Sequence, residues 1–388
     1  MLPPAGISGG RGGCRGLDKC APTGLSGRMV FSLRIMMKSL IACVILLGSH
    51  TWASGAYSNE WARMREITPR SYVCERAKKP LKIDGRLDEA AWAGVPWTDD
   101  FADIEGPGKA RPQFRTRAKM LWDDTYFYVG AEIEEPHVWA TLTNHDAVIF
   151  YNPDFEVFID PNGDNHDYFE IEINALNTEW DLRLVKPYKD GGPALNEWEI
   201  PGLKTAVHVD GTINAPGDRD RGWTVEFAFP WKSMASVAGR GVRPSEGDRW
   251  RVNFSRVEWK IRTDDGSYTR LPSTPEDNWV WSPTGIIDMH RPERWGFVEF
   301  TRKTGKRAIY HPDPSLAIRD RLMEVYYAQR AFFAANKRWA GTLKELGVSE
   351  NSRELTVVIR LTSDGYEATV PTGDIKPWHI RQDSLLWQ

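Results

Sequence analysis

Phe114-Arg-Thr-Arg-Ala-Lys-Met-Leu-Trp122, the pair Asp123-Asp124, and then Phe127-Tyr-Val-Gly-Ala-Glu-Ile133 decide the fold class of this chain. Phe114, Thr116, Ala118, Met120 and Trp122 alternate with Arg115, Arg117, Lys119 and Leu121. After the turn, Phe127, Val129, Ala131 and Ile133 resume the apolar side. Successive strand side chains point to opposite faces, so this is a β-hairpin with one face on a core. The same period continues outward from it. Phe155–Asp160 is one run, and Phe169, Ile171 and Ile173 alternate with Glu170, Glu172 and Asn174 in the next. Trp180–Val185, Leu203–Val209, Trp223–Phe229, Trp250–Trp259 and Phe297–Phe300 follow, each bounded by Gly, Pro, Asn or Asp. Roughly ten short strands with turn residues between them predict an antiparallel β-sandwich of jelly-roll type from Tyr72 to about Thr301.

Composition narrows the function classes. The 388 residues carry a formal net charge of -3 with 41% hydrophobic and 27% charged residues, a globular balance. A nucleic-acid partner would call for a basic patch, and no long basic run lies outside the N-terminus. Eighteen Trp are present, most of them between Trp92 and Trp295 beside Asp, Glu, Arg and Asn. Trp joins a large apolar body to one N–H donor. Many of them must fill a large β core, while Trp180, Trp198, Trp279 and Trp295 are candidates for a surface that stacks on sugars.

The first 53 residues read as an upstream extension and a signal peptide. Arg28, Arg34 and Lys38 precede an apolar run, Leu40–Gly48, and small residues follow up to Ala53. That is the n-region, h-region and cleavage site of an exported protein. The run is shorter than the ~20 apolar residues of a membrane span. Leu40-Ile-Ala-Cys43 also resembles a lipoprotein box, although it sits close to Lys38. Cleavage after Ala53 would leave Cys74 alone, so no internal disulfide is expected, and a secreted, periplasmic or cell-envelope location follows. Residues 54–70 read as a linker, 71–302 as the sandwich and 303–312 as a second linker. Residues 313–388 read as a small α+β unit: Ile318, Leu322, Val325, Tyr326, Phe332 and Phe333 recur at helical spacing, and short strands are expected at Leu355–Leu361, Tyr366–Val370 and Trp378–Arg381.

Four stretches point to a family: Ile83-Asp-Gly-Arg-Leu-Asp-Glu-Ala-Ala-Trp92, Leu121-Trp-Asp-Asp-Thr-Tyr-Phe-Tyr-Val129, Asp154-Phe-Glu-Val-Phe-Ile-Asp-Pro161, and Asp277-Asn-Trp-Val-Trp-Ser-Pro283 running on to Pro292-Glu-Arg-Trp-Gly296. In this order they resemble family 9 carbohydrate-binding modules and their DOMON-like relatives. The resemblance implies glycan binding, structural calcium and association with polysaccharide breakdown. It places a site where the Phe150–Glu156 segment meets the Trp279–Trp295 segment. Glu156 matches a glutamate that hydrogen-bonds sugar, and Asn174 a polar position beside it. Two Trp sandwich a sugar in that family. Here the first position offers Phe150 and Tyr151, and near the second stand Met289 and His290 with Trp281 upstream. A basic position of the family is occupied by Glu172.

Asp160-Pro-Asn-Gly-Asp-Asn-His-Asp167 is oxygen-rich. It reads either as an Asx-rich turn or as a hard-cation site. The family resemblance favours calcium on Asp160, Asn162, Asp164 and Asp167. No Gly-x-Ser-x-Gly, His-Glu-x-x-His or phosphate loop occurs, so the motifs of common hydrolases and nucleotide enzymes are missing. The expectation is a secreted, non-catalytic binder of polysaccharide or oligosaccharide, accessory to glycoside hydrolases. The alternatives are a structural or interaction protein of the cell envelope, or a glycoside hydrolase or lyase with an unrecognised site. Neither nucleic acid nor a membrane span is expected for the mature chain.

Overall fold

The computed structural model describes residues 59–238, 243–264, 266–305, 308–350, 355–373 and 376–388. The leader, cleavage-site and lipidation expectations fall outside them. In chain order the strands up to Thr301 are β1 (Ser71–Arg76), β2 (Ala102–Asp103), β3 (Thr116–Trp122), β4 (Tyr126–Glu134), β5 (Asp154–Asp160), β6 (Tyr168–Asn174), β7 (Glu179–Leu184), β8 (Ala194–Leu195), β9 (Lys204–Asp210), β10 (Gly222–Pro230), β11 (Arg249–Glu258), β12 (Ile261–Asp264), β13 (Ser267–Arg270), β14 (Asp277–Val280) and β15 (Gly296–Thr301). The hairpin read from residues 114–133 is β3–β4, in register from Thr116 opposite Ile133 to Trp122 opposite Phe127.

Eleven strands form one curled path, β8-β7-β6-β5-β11-β15-β1-β3-β4-β10-β9. One half runs from β8 to β15 and the other from β3 to β9. The entry strand β1 fills the seam, parallel to both β15 and β3; every other pairing in the sheet is antiparallel. The halves close on the apolar rows named above. Phe155 meets Phe227 at 6.1 Å, Phe169 meets Phe229 at 6.1 Å, and Trp250 meets Phe127 at 6.3 Å between ring centroids. Ala118, Met120, Val129, Ala131, Val157, Ile171 and Phe254 complete this core with no measurable exposure.

The Asp84-Gly85 segment lies across the outside of β4 and β10. Gly85 adopts φ +81°, and a Cβ there would meet the backbone of Val207 at 2.5 Å and of His208 at 2.6 Å. A short helix, Ala90–Ala93, presses Trp92 onto Gly130, where an added Cβ would lie 2.6 Å from Leu87 and 3.2 Å from Trp92. Glu226 of β10 fastens the segment. Its carboxylate accepts from Asp84 N at 2.9 Å, Gly85 N at 2.8 Å and Trp92 Nε1 at 2.8 Å. Trp92 thus seals the outer face of the sheet.

Residues 59–64, read above as part of a linker, are helical. Trp61 is buried and stacks on Tyr327 at 5.4 Å. Tyr327 belongs to the 21-residue helix Leu316–Asn336, which packs on a four-stranded antiparallel sheet, β16 (Val358–Leu361), β17 (Tyr366–Val370), β18 (Trp378–Arg381) and β19 (Leu386–Trp387). Leu322, Val325 and Tyr326 enter its core with Tyr366, Ala368, Val370 and Ile380. Phe333 stays partly exposed and stacks on Trp339. Among the described residues no helix is long and apolar enough to cross a membrane.

Candidate functional site

The faces of β5, β6 and β11 that turn away from the core carry acids. Asp154 and Glu156 of β5 stand opposite Asn174 and Glu172 of β6, and Ser255 of β11 stands opposite Glu156. The period-two pattern that sends Phe155, Val157, Ile171 and Ile173 inward necessarily places these polar residues together on the other side. Oxygens of Asp154, Glu156 and Glu172 all lie within 4.8 Å of one another. Among the described residues none of the three forms an ion pair, and all three are almost wholly buried. Burial is the first cause of their raised pKa values. Glu156 is pushed up to about 7, with Glu276 adding to the shift, and Asp154 and Glu172 rise well above the usual carboxylate range, with Glu156 as the next cause for each.

An aromatic wall borders this row. The turn Ile149–Tyr151 is held at both ends of Phe150: its N–H donates to Glu172 Oε2 at 2.8 Å, and its carbonyl accepts from Trp259 Nε1 at 2.9 Å. Phe150 then lies 4.9 Å from Tyr151 and 6.4 Å from Trp180 between ring centroids. Trp180 sits directly across from Glu172 on β7. Tyr151 is 48% exposed, and the Arg270 guanidinium lies over its ring at 5.4 Å and over Trp259 at 4.2 Å. Farther along the row are Glu170, His290 and Tyr188. His290 is 3.8 Å from Glu170 and shares a 3.0 Å hydrogen bond with Tyr168. Tyr188, half exposed, meets the His290 ring at 4.5 Å. Burial lowers the His290 pKa to about 4, so its ring is neutral near pH 7.

The structure therefore gathers Phe150, Tyr151 and Glu156 but removes two expected members. Trp281 has no exposure. It packs on Phe254 at 5.6 Å, and Gly296 is the only residue type that leaves room for its ring, since a Cβ there would lie 2.5 Å away. It cannot be a wall of an open site. Asn174 is also fully buried. Its amide nitrogen donates to Leu142 O at 2.9 Å, while its oxygen accepts from Leu176 N at 3.0 Å and Thr178 N at 3.2 Å. It closes the β6–β7 turn. Trp279 and Trp295 are core residues too. Sequence reading named Trp180 only as a general surface candidate, and it did not single out Asp154, Ser255, Tyr188 or Arg270. The outward row Asp154-x-Glu156 facing Glu172 was the signal available.

The Asp160–Asp167 loop is hydrogen-bonded within itself. Asp160 is buried and accepts from Gly163 N at 2.8 Å and Asn165 N at 3.0 Å. Asn162 and Asp164 hydrogen-bond each other at 2.7 Å, and Asp164 accepts from His166 N at 2.8 Å. Asp167 pairs with Arg183 at 2.7 Å. Its carboxylates are not among the groups that converge within 4.8 Å in the described residues. The loop is also the seat of the C-terminal unit. Arg319 donates to Gly163 O at 2.5 Å, Asn165 to Ser384 O at 3.0 Å, and Leu386 N to Asp164 O at 3.1 Å. Beside it, buried Asp190 accepts from Tyr326 and Ser384 at 2.6 Å each.

A hollow of about 880 Å³ lies elsewhere, between Arg70, Asp103, Phe114 and Arg115. It offers one half-buried ring among charges of both signs, so the acid row with its aromatic wall is the better candidate.

The fold is a curled β-sandwich with an acid-and-aromatic outer face. Residues 83–265 match the family model described as carbohydrate family 9 binding domain-like. Exoglucanase XynX of Acetivibrio thermocellus is 28% identical over 182 residues, 46% of this chain and 14% of that protein. Endo-1,4-beta-xylanase A of Thermoanaerobacterium saccharolyticum is 27% identical over 182 residues, 46% of this chain and 13% of its own length. The chain thus spans about one-seventh of the length of these relatives. Among solved structures, a family 9 module from Caldicellulosiruptor kristjanssonii in complex with cellotriose aligns over 63% of this chain and all of its own, with 17% identity and a TM-score of 0.39. A putative carbohydrate-binding protein from Bacteroides uniformis aligns over 60% of this chain and all of its own, with 14% identity and a TM-score of 0.44.

Proposed function

We propose that this protein is a non-catalytic carbohydrate-binding protein that takes plant-type polysaccharide or its fragments on the outer face of β5, β6 and β7. One observation carries the reading: half-exposed Tyr151 stands with Phe150 and Trp180 beside a row of carboxylates. A sugar ring offers C–H faces to an aromatic wall and hydroxyls to carboxylate acceptors. The matching relatives are a named exoglucanase and xylanases, which makes β-glucan and xylan the first ligands to try and a role beside glycoside hydrolases the natural setting. The charged n-region and apolar run before Ala53 support export to the periplasm, envelope or medium.

The test uses residues 54–388. Affinity electrophoresis and calorimetry against xylan, cellulose and their oligosaccharides should show binding that the Tyr151→Ala, Trp180→Ala double variant loses while it keeps its melting temperature. Absence of binding across the panel, or full affinity in the double variant, overturns the reading. Release of reducing sugar from the bound polymer would replace it with a hydrolase.

A further inference from the structure

The hairpin of β12 and β13 leaves the end of β11 and returns its last residue, Arg270, to the aromatic wall. Leu271 N donates to Lys260 O at 2.7 Å and closes the base of the hairpin, where Ile261 stands opposite Arg270. Ile261 and Tyr268 pack on the buried cluster of Trp139, Val257 and Trp259, which Phe150 also joins. The Tyr268 hydroxyl is 3.3 Å from His137 Nδ1 and donates to Ala215 O at 3.3 Å. So anchored, the hairpin holds the Arg270 guanidinium 4.2 Å from the Trp259 ring centre and 5.4 Å from that of half-exposed Tyr151. A ring face attracts a cation without neutralising it. Among the described residues Arg270 forms no ion pair, and its guanidinium donates no hydrogen bond. Arg256 on β11 shows the contrast: it is buried against Glu135 and Glu258 at 2.6 Å each.

We propose that Arg270 selects glycans with a neutral main chain and uronic acid branches, one branch carboxylate resting on its guanidinium. The inference rests on the proposed carbohydrate function and names the substrate class of that site. Chemistry divides the face in two. Glu156 and Glu172 can accept from sugar hydroxyls, but a further carboxylate brought against them would meet like charge in a buried setting. The main chain along the row therefore carries no acid. At the outer edge of the wall the balance reverses, because Tyr151 and Trp259 hold a cation that no protein carboxylate has claimed. A guanidinium presents its N–H donors as a planar fork that matches a carboxylate with two parallel bonds. The two rings keep that fork in place before the ligand arrives, so less side-chain freedom is lost on binding. A lysine here would supply charge without the fork.

Residues 54–388 are to be titrated by calorimetry with glucuronoxylan oligosaccharides, and with the same oligosaccharides after their uronic acids have been reduced to neutral hexose. The acidic form should bind about tenfold tighter or more, the worth of one charge-assisted pair. Arg270→Gln should bring the ratio of the two affinities close to one, and Arg270→Lys should leave it in between. A merely structural role for Arg270 would weaken both ligands alike and leave the ratio unmoved. Added salt should shrink the ratio in the parent, a reading that needs no variant to fold. Equal or weaker affinity of the parent for the acidic form, or a preference that Arg270→Gln retains, overturns the assignment and leaves the carbohydrate function in place. Polygalacturonate bound as tightly as the branched acid overturns the neutral main chain. No binding of either form overturns the carbohydrate function and this inference with it.

Discussion

Glu226→Ala should cost this protein a large share of its stability, although Glu226 touches no candidate ligand group. Three donors converge on its carboxylate, from Asp84 N, Gly85 N and Trp92 Nε1, at 2.8–2.9 Å. Two of these bonds are buried. A buried donor left without a partner costs about 1–3 kcal/mol, and the Asp84 amide adds a smaller amount. The total is about 3–5 kcal/mol, against a typical domain stability of about 5–15 kcal/mol. Glu226→Gln keeps one acceptor oxygen but turns an NH2 group toward the remaining donor, so about 1–2 kcal/mol is expected. Urea unfolding followed by Trp fluorescence reads both values, and the melting temperature of the Ala variant should fall by roughly 10 °C. A cost below about 1 kcal/mol for Glu226→Ala, or equal costs for Ala and Gln, refutes the account of the Asp84–Trp92 segment as a clasp held by one carboxylate.

Trp281→Ala should destabilise by about 3–5 kcal/mol through an unfilled cavity, seen in the same unfolding assay. Tyr151→Ala should leave stability within about 0.5 kcal/mol and weaken glycan binding roughly two- to tenfold, seen by calorimetry. Gly85→Ala should destabilise sharply and shift the β9 edge in amide exchange, because its Cβ would meet backbone atoms of Val207 and His208 within 2.6 Å. Burial, with Glu199 next, pushes Asp181 up to about 7. A raised carboxyl pKa means the folded state holds the proton more tightly, so this contribution is complete below the unfolded value near ~4 and is lost as pH rises through about 7. Asp181→Asn, which keeps the acceptor for Ile200 N, should therefore gain melting temperature relative to the parent at pH 8 and not at pH 4.5.

Strand alternation carried the fold because the long central strands of the sandwich each bury an apolar row, from Ala118, Met120 and Trp122 to Phe227 and Phe229. The parallel seam at β1 was illegible: Ser71–Arg76 reads the same whichever neighbours it meets. The site was half legible. Phe150 and Tyr151 stand out as aromatics before an acidic strand, and Glu156 and Glu172 alternate outward. What composition cannot reveal is which Trp has room. Trp281 and Trp180 differ only in their surroundings, Gly296 and Phe254 for one and an open strand face for the other. The loop Asp160–Asp167 reads two ways for a related reason. Asx residues at alternate positions serve equally to bind a cation and to tie a loop to itself, and the partners the loop meets, Ser384 and Leu386, are more than two hundred residues away.

In the matching exoglucanase and xylanase the related stretch is a small fraction of the chain. The β5–β6 loop is tied to Arg319, Ser384 and Leu386, and the carboxylate of Asp190 sits under Tyr326. Severing the chain after Thr301 would uncover a buried carboxylate and strip a loop of its outside partners. A recombinant trimmed to the sandwich alone would begin life with a wound on its surface.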